Sequence, residues 1–237
     1  MKRLDSFLFE HGYYPSREKA KEAIISARVK VDNKVVTKPA YTVEDSAQIE
    51  ALPFEFVSRG GFKLQKALEE FKVDLKGKVV VDIGASTGGF TDVCLKNGAK
   101  KVYAIDTGTD QLAENLRKDR RVKSFENTNY LTFDKFNFPD ADIAVIDVSF
   151  VSLTKFAEKL SKDFNEIIAL VKPQFECGKD YAKKHKGVVK DEKIHEKILK
   201  DITFVFSSVG FTLSPIIPSP ILGGDGNKEF LLHAWKR

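Results

Sequence analysis

Two cysteines, Cys94 and Cys177, stand 83 positions apart, without the paired spacing of a disulfide framework or a thiolate metal site. Both read as inert thiols. The four histidines, His11, His185, His195 and His233, lack the i,i+4 or Cys-paired spacing of a zinc site, so no metal is expected. No apolar run approaches the roughly 20 residues that cross a bilayer, and Met1-Lys2-Arg3-Leu4-Asp5 leads into a charged helix, not an apolar signal core. Internal repeats and low-complexity tracts are missing as well. These absences argue against a secreted disulfide scaffold, a zinc module and a membrane span, and the expectation is a cytoplasmic protein.

What the chain does have is the make-up of an ordinary folded protein: 42% hydrophobic and 31% charged residues, with 15 Gly and 8 Pro. Its 237 residues suit one large domain, or a medium one with a small partner. The formal net charge of +5 is compatible with a polyanionic partner without demanding one, so its distribution matters more than its sum. Residues 1–41 carry nine Lys or Arg against five Asp or Glu, which is most of the excess.

In that stretch Tyr14-Pro15-Ser16 breaks the chain, Ser16 can cap a helix with its hydroxyl, and Ala20, Ala23, Ile24 and Ala27 recur at i, i+3, i+4, i+7. The polar face of this helix carries Arg17, Lys19 and Lys21, with Arg28 at its exit. Val29-Lys30-Val31, Asp32-Asn33-Lys34 and Val35-Val36 then read as a hairpin. Charge alone leaves two readings open, a solvated helix or a polyanion-binding face. Arg3-Leu4-Asp5, Ser16-Arg17 and Ala27-Arg28-Val29-Lys30-Val31-Asp32 resemble the small α+β RNA-binding domain named after the fourth small-subunit ribosomal protein. The resemblance covers roughly residues 2–45. It implies that Arg3, Arg17, Lys19, Lys21, Arg28 and Lys30 face structured RNA, which is read through shape, phosphates and 2′-hydroxyls.

Pro53 to Arg59 reads as a junction, because Pro53 interrupts and Ser58-Arg59-Gly60-Gly61 is a turn or helix-start signal. The expected units are residues 1–58 and 59–237. In the second, β-branched runs at 78–83, 101–105, 141–146 and 166–171 alternate with helical patterns, which argues for a mostly parallel sheet covered on both faces. Phe211 to Ile217 and Glu229 to Trp235 are expected to add an antiparallel pair. The fold class is therefore α/β.

The strand Val79-Val80-Val81-Asp82-Ile83 runs into Gly84-Ala85-Ser86-Thr87-Gly88-Gly89-Phe90-Thr91, the strand, glycine turn and helix of a nucleotide-type site. Glycines at 84, 88 and 89 are expected to let backbone approach a ligand, although tight turns need glycine too. Asp106 follows Gly84 by 22 residues, where an acid would bind ribose hydroxyls; the alternative is an Asp that caps the following helix. Asp82 beside the turn favours a cofactor with a positive group, since a pyrophosphate would be repelled. S-adenosylmethionine fits that description.

Asp82 to Thr91, with Tyr103-Ala104-Ile105-Asp106, Ile146-Asp147-Val148-Ser149-Phe150, Lys172-Pro173-Gln174-Phe175-Glu176 and Gly226-Asn227-Lys228-Glu229-Phe230, resembles the TlyA or haemolysin-A family along nearly the whole chain. That family joins the RNA-binding domain above to a Rossmann-like, FtsJ-type 2′-O-ribose methyltransferase domain. The resemblance implies a cofactor site at Asp82, Gly84, Ala85, Ser86, Thr87, Gly88, Gly89, Phe90 and Asp106. It also implies a cytidine of ribosomal RNA as target, in free RNA or a ribosomal subunit, and the short C-terminus is similar to members acting on the large subunit.

Asp147 and Lys172 each end a strand run, and ligands in open α/β sheets bind outside those carboxyl ends. The resemblance adds Lys63 and Glu229 to complete a Lys-Asp-Lys-Glu catalytic set that spacing alone does not assemble. A ribose hydroxyl is a poor nucleophile, so attack on a sulfonium methyl benefits from a positioned base and reacting atoms held about 3–3.5 Å apart. A lysine serves as that base only when neutral, a form that burial or a neighbouring cation favours. Lys172 is the expected base and Lys63 the neighbouring cation that also grips a phosphate or the hydroxyl, with Asp147 and Glu229 orienting them.

The chain lacks the Asn/Asp-Pro-Pro-aromatic motif of amino-group methyltransferases after the fourth strand, which makes base methylation the weaker enzymatic reading. Two rivals come from other classes. One is an RNA-binding protein with an inactive methyltransferase domain; the other is a membrane-damaging haemolysin, which lacks an apolar span or a long amphipathic membrane-binding helix. Residues 179–187, with Lys183, Lys184 and Lys186, are expected to be a loop near the mouth of the site that closes over RNA phosphates.

Overall fold

A computed structural model describes residues 1–53, 55–185 and 187–236, with backbone alone at Lys179, Asp180 and Lys184. The chain divides into two compact units, Met1–Glu55 and Phe56–Arg237.

The first unit contains β1 (Lys2–Arg3), α1 (Leu4–Glu10), α2 (Arg17–Ile25), β2 (Val29–Val31), β3 (Lys34–Val35), β4 (Thr42–Val43) and β5 (Ile49–Ala51). Ser16 Oγ accepts from the Lys19 amide at 3.2 Å, so the expected cap starts α2. Ala20, Ala23 and Ile24 bury against Leu4, Phe7, Leu8, Val29 and Val31. Ala27 is not part of that stripe: α2 ends at Ile25 and Ala27 turns the chain with φ +56°. Asp32 and Asn33, both at positive φ, form the tight turn between β2 and β3, where strand twist favours left-handed residues.

The second unit runs α3 (Gly60–Phe71), β6 (Val79–Ile83), α4 (Gly89–Lys96), β7 (Lys101–Ile105), α5 (Glu114–Arg117), β8 (Val122–Phe125), β9 (Ile143–Ile146), α6 (Ala157–Asp163), β10 (Glu166–Val171), α7 (Pro173–Glu176), α8 (Lys179–Lys184), α9 (Glu192–Ser208), β11 (Thr212–Leu213), β12 (Ile217–Pro218) and β13 (Phe230–Trp235). The strands order as β11-β13-β10-β9-β6-β7-β8, with β12 also on β13. From β10 to β8 every pairing is parallel. β13 lies antiparallel along β10, with β11 and β12 antiparallel on it.

Side-chain alternation sends Val79, Val81 and Ile83 to the layer holding Leu160, Ile198 and Phe206. Val80, Val102 and Val145 go to the opposite layer with Leu64, Leu68 and Val93. Both faces are thus covered, at about 1.5–3 kcal/mol for each large apolar side chain fully buried. Sequence order reverses between β6 and β9, so the carboxyl ends of those strands flank the switch point where such sheets bind ligands. β8 was not foreseen: Val-Lys-Ser-Phe has no apolar run because this edge strand is half exposed.

Candidate active site

At the switch point lies a cleft of about 490 Å³, lined by Gly84, Ser86, Asp106, Gln111, Asn129, Tyr130, Asp147, Val148, Ser149 and Phe150, among others. The strand register sets Ile83 opposite Ile146, which brings Gly84 beside Asp147. A Cβ at Gly84, where φ is +85°, would stand 2.7 Å from the Asp147 carbonyl oxygen, so this position requires glycine. Gly88 has another reason: its φ is +94°, and a Cβ there would collide with Leu112 and Leu116. The side of Gly88 where a side chain would stand is therefore filled by Leu112 and Leu116.

Of the anticipated cofactor residues, Gly84, Ser86 and Asp106 line the cleft. Ala85 is buried in the layer under α4 and Phe90 packs into the same layer, while Gly89 starts α4 against Ser58 and Gly61. The Thr87 carbonyl receives the Ala113 amide at 3.2 Å. The Gly84 and Ala85 amides both donate to the Ile105 carbonyl, which ties the turn to β7. Asp106 accepts from the Ser86 and Gly108 amides, each at 2.7 Å. It therefore closes a turn and caps no helix, since the next helix, α5, begins at Glu114.

Asp82 shares with Val80 the side of β6 that faces α4 and is fully buried. Thr91 Oγ1 donates to its Oδ2 at 2.6 Å, and its Oδ1 has no hydrogen-bond partner. Burial first, and then the nearby Asp147 and Asp106 charges, push its pKa up to about 7 against the Thr91 hydrogen bonds.

The four charged residues form two short ion pairs. Lys63 Nζ lies 2.6 Å from Glu229 Oε2, with both side chains buried. Lys172 Nζ lies 2.6 Å from Asp147 Oδ1 and donates to Ser149 Oγ at 2.8 Å. Topology explains the convergence. Val171 pairs with Phe230 across β10 and β13, so Lys172 and Glu229 follow and precede that pair at the same end of the sheet. Asp147 caps β9 alongside, and the first turn of α3 comes close enough that a Cβ at Gly60 would sit 3.9 Å from Asp147 Oδ2, which brings Lys63 in. Sequence reasoning missed the hydroxyl of Ser149, as well as Gln111 and Asn129 in the cleft. Ser149's position two residues after Asp147 was the available signal.

The basic residues of the first unit are mostly engaged. Arg3 and Arg17 both clamp the buried Asp5, at 3.0 and 3.2 Å, and the Arg3 hydrogen bond is the foremost cause holding its pKa down to about 2. Lys19 pairs with Glu22, Lys21 with Glu18 and Lys30 with Glu50. Arg28 donates to the Pro53 carbonyl at 2.6 Å. The expected loop at 179–187 is corrected at its start: residues Lys179–Lys184 form α8, because this Ala- and Lys-containing stretch without β-branched residues or Pro favours helix. Lys183 is exposed on it, while the Lys184 side chain and Lys186 lie outside the described residues. Among the described residues, no group of three or more His, Cys, Asp or Glu is placed to hold a metal ion, and no helix is long and apolar enough to cross a membrane.

A switch-point cleft under a glycine turn, with an antiparallel last strand beside a parallel sheet, defines the class of Rossmann-like methyltransferases. The FtsJ-like methyltransferase family matches residues 56–236, and the S4 domain matches residues 2–49. The chain belongs to the TlyA or haemolysin-A family of FtsJ-like methyltransferases. It is 42% identical to Hemolysin A of Brachyspira hyodysenteriae, over 98% of each protein. It is 37% identical to the 16S/23S rRNA (cytidine-2'-O)-methyltransferase TlyA of Mycobacterium tuberculosis, over 99% of this chain and 89% of that one. A solved structure named "Putative hemolysin from Streptococcus thermophilus" superposes with a TM-score of 0.77 at 40% identity, covering 99% of this chain and 88% of its own. More distant methyltransferase structures, at 17% and 19% identity, share the fold.

Proposed function

We propose that the chain is an S-adenosylmethionine-dependent RNA 2′-O-ribose methyltransferase whose target is a cytidine of ribosomal RNA, in free RNA or a ribosomal subunit. The observation that carries this reading is the presence of two lysine–carboxylate pairs at one end of the sheet, one joining residues 166 positions apart and the other including Asp147 of the cleft wall. The name of the Mycobacterium relative supports the choice of ribose and of cytidine.

The cleft suits the cofactor. Asp106 and Asp147 are the only charged side chains among the described residues lining it, so it favours a ligand carrying sulfonium and ammonium groups and disfavours a pyrophosphate. When bound, S-adenosylmethionine supplies an electrophilic methyl group. Asp106 would hold its ribose, and the Gly84 to Phe90 turn over the buried Asp82 would shape its seat.

Lys172 takes the proton of the ribose hydroxyl. Asp147 Oδ1, 2.6 Å away, and Ser149 Oγ, 2.8 Å away, orient its amine. Lys63, held by Glu229, grips a phosphate or the hydroxyl. Residues 1–58 supply affinity for structured RNA through Arg3, Arg17, Lys19, Lys21, Arg28 and Lys30, and residues 59–237 carry out the transfer. Lys183, Lys184 and Lys186 add phosphate contacts.

Calorimetric titration with S-adenosylmethionine tests the reading against an inactive domain: saturable binding is expected, and no heat at millimolar cofactor would favour an RNA-binding protein without activity. Dye-loaded liposomes are expected to stay sealed, and leakage would revive the membrane-damaging reading.

A further inference from the structure

The motif Lys172-Pro173-Gln174-Phe175-Glu176 lends Lys172 to the reading above, and Glu176 at its far end has no part in it. Glu176 is half-buried, and burial raises its pKa. Its Oε1 accepts from the Leu153 amide at 2.7 Å and its Oε2 from the Ser152 hydroxyl at 2.6 Å. The Ser152 hydroxyl in turn accepts from the Thr154 amide at 3.2 Å. Leu153–Phe156 is a 3-10 turn that runs directly into α6, so Glu176 satisfies one open amide of this helical start from another element and holds the Ser152 hydroxyl that satisfies a second. Its negative charge is also favoured there.

The same loop is tethered at its other end, where Lys172 holds Asp147 and Ser149. Between the two tethers, residues 148–151 form one wall of the cleft. Phe150 within that wall has φ +64°, a conformation costing a bulky residue about 1–2 kcal/mol and kept only where the surroundings over-determine the backbone. Its ring packs 5.2 Å from that of Phe175, one residue before Glu176. With the Glu176 tether cut, the wall can relax while Lys172 still holds Asp147.

We propose that Glu176 is a positioning residue, which fixes the 148–151 wall of the cleft, and through Ser149 the lysine amine, without touching substrate or cofactor. The proposal rests on the assignment of the cleft and of Lys172 made above. Its test uses full-length Glu176→Ala and Glu176→Gln. Calorimetry gives S-adenosylmethionine affinity, steady-state kinetics with ribosomal subunits give kcat and KM, and thermal unfolding reports the fold.

Glu176→Ala is expected to bind cofactor about tenfold more weakly and to lose about tenfold in kcat, with KM for the subunit unchanged. Glu176→Gln keeps an amide oxygen for the Leu153 amide and is expected to recover most of the loss. Wild-type cofactor affinity in the Ala variant, or a Gln variant that is folded but no better than Ala, would overturn the proposal. Should the Ala variant not fold, Ser152→Ala removes one of the two contacts and is expected to weaken cofactor binding about threefold; unchanged affinity would count against the tether. Methylation that survives Lys172→Met would instead overturn the site assignment, an outcome separable from the binding data.

Discussion

Lys63–Glu229 and Lys172–Asp147 close to 2.6 Å with at most a fifth of any of the four side chains exposed. Lys21–Glu18 and Lys30–Glu50, in the other unit, close to 2.7 and 2.8 Å with between a third and four-fifths exposed. Bond length hardly separates these pairs; burial does. The exposed pairs contribute about 0–1 kcal/mol each, so a phosphate can replace the glutamate at small cost. The buried pairs have no such freedom, because removing one partner strands a charge away from water. Lys21 and Lys30 are thus open to exchange, whereas Lys63 and Lys172 are held in fixed positions.

The sharpest way to break this contrast is Lys63→Met. It leaves Glu229 buried without a partner, and urea unfolding is expected to show a loss of about 3–5 kcal/mol; a loss under about 1 kcal/mol would place the pair with the exposed class.

Asp82→Asn tests burial from the opposite side. Because Asp82 has its pKa raised to about 7 in the folded protein, its contribution to stability is fully present below the ordinary carboxyl range near pH 4 and is lost as pH rises through about 7. The Asn variant is expected to match wild type near pH 4 and to exceed it by about 2–4 kcal/mol at pH 9. Parallel pH–stability curves for the two proteins would mean that Asp82 is solvated or paired.

The smallest effect on stability belongs to Lys21→Ser with Lys30→Ser. Unfolding free energy is expected to stay within about 1 kcal/mol, while the slope of log affinity for ribosomal RNA against log salt falls by about one per lysine. An unchanged slope would move the RNA surface elsewhere.

Strands β6, β7, β9 and β10, the glycine turn and the strand-end positions of Asp106, Asp147 and Lys172 were legible in sequence because each sits in or at the end of an apolar run whose direction a parallel sheet dictates. Lys63 and Glu229 were not legible from spacing, since their meeting depends on α3 folding back beside β13, and a resemblance had to supply them. Glu176 went unnoticed for a similar reason: it caps a helical start in another segment, so no local pattern marks it. That Leu112 and Leu116 crowd the Cβ side of Gly88 was not legible, because a glycine in sequence does not say which side lacks room. The basic count of the first unit was legible, but its engagement with Asp5, Glu18, Glu22 and Glu50 was not.

The central claim is that Lys172 takes the proton of a ribose hydroxyl of RNA, so that this oxygen accepts the methyl group of the cofactor. Ribosomal subunits incubated with the protein and isotopically labelled S-adenosylmethionine, digested to nucleosides and analysed by mass spectrometry, test it most directly. Labelled 2′-O-methylcytidine should appear with the wild-type protein and fall by about 10²–10⁴ in rate with Lys172→Met. Label on a base, or equal labelling by the two proteins, would contradict it.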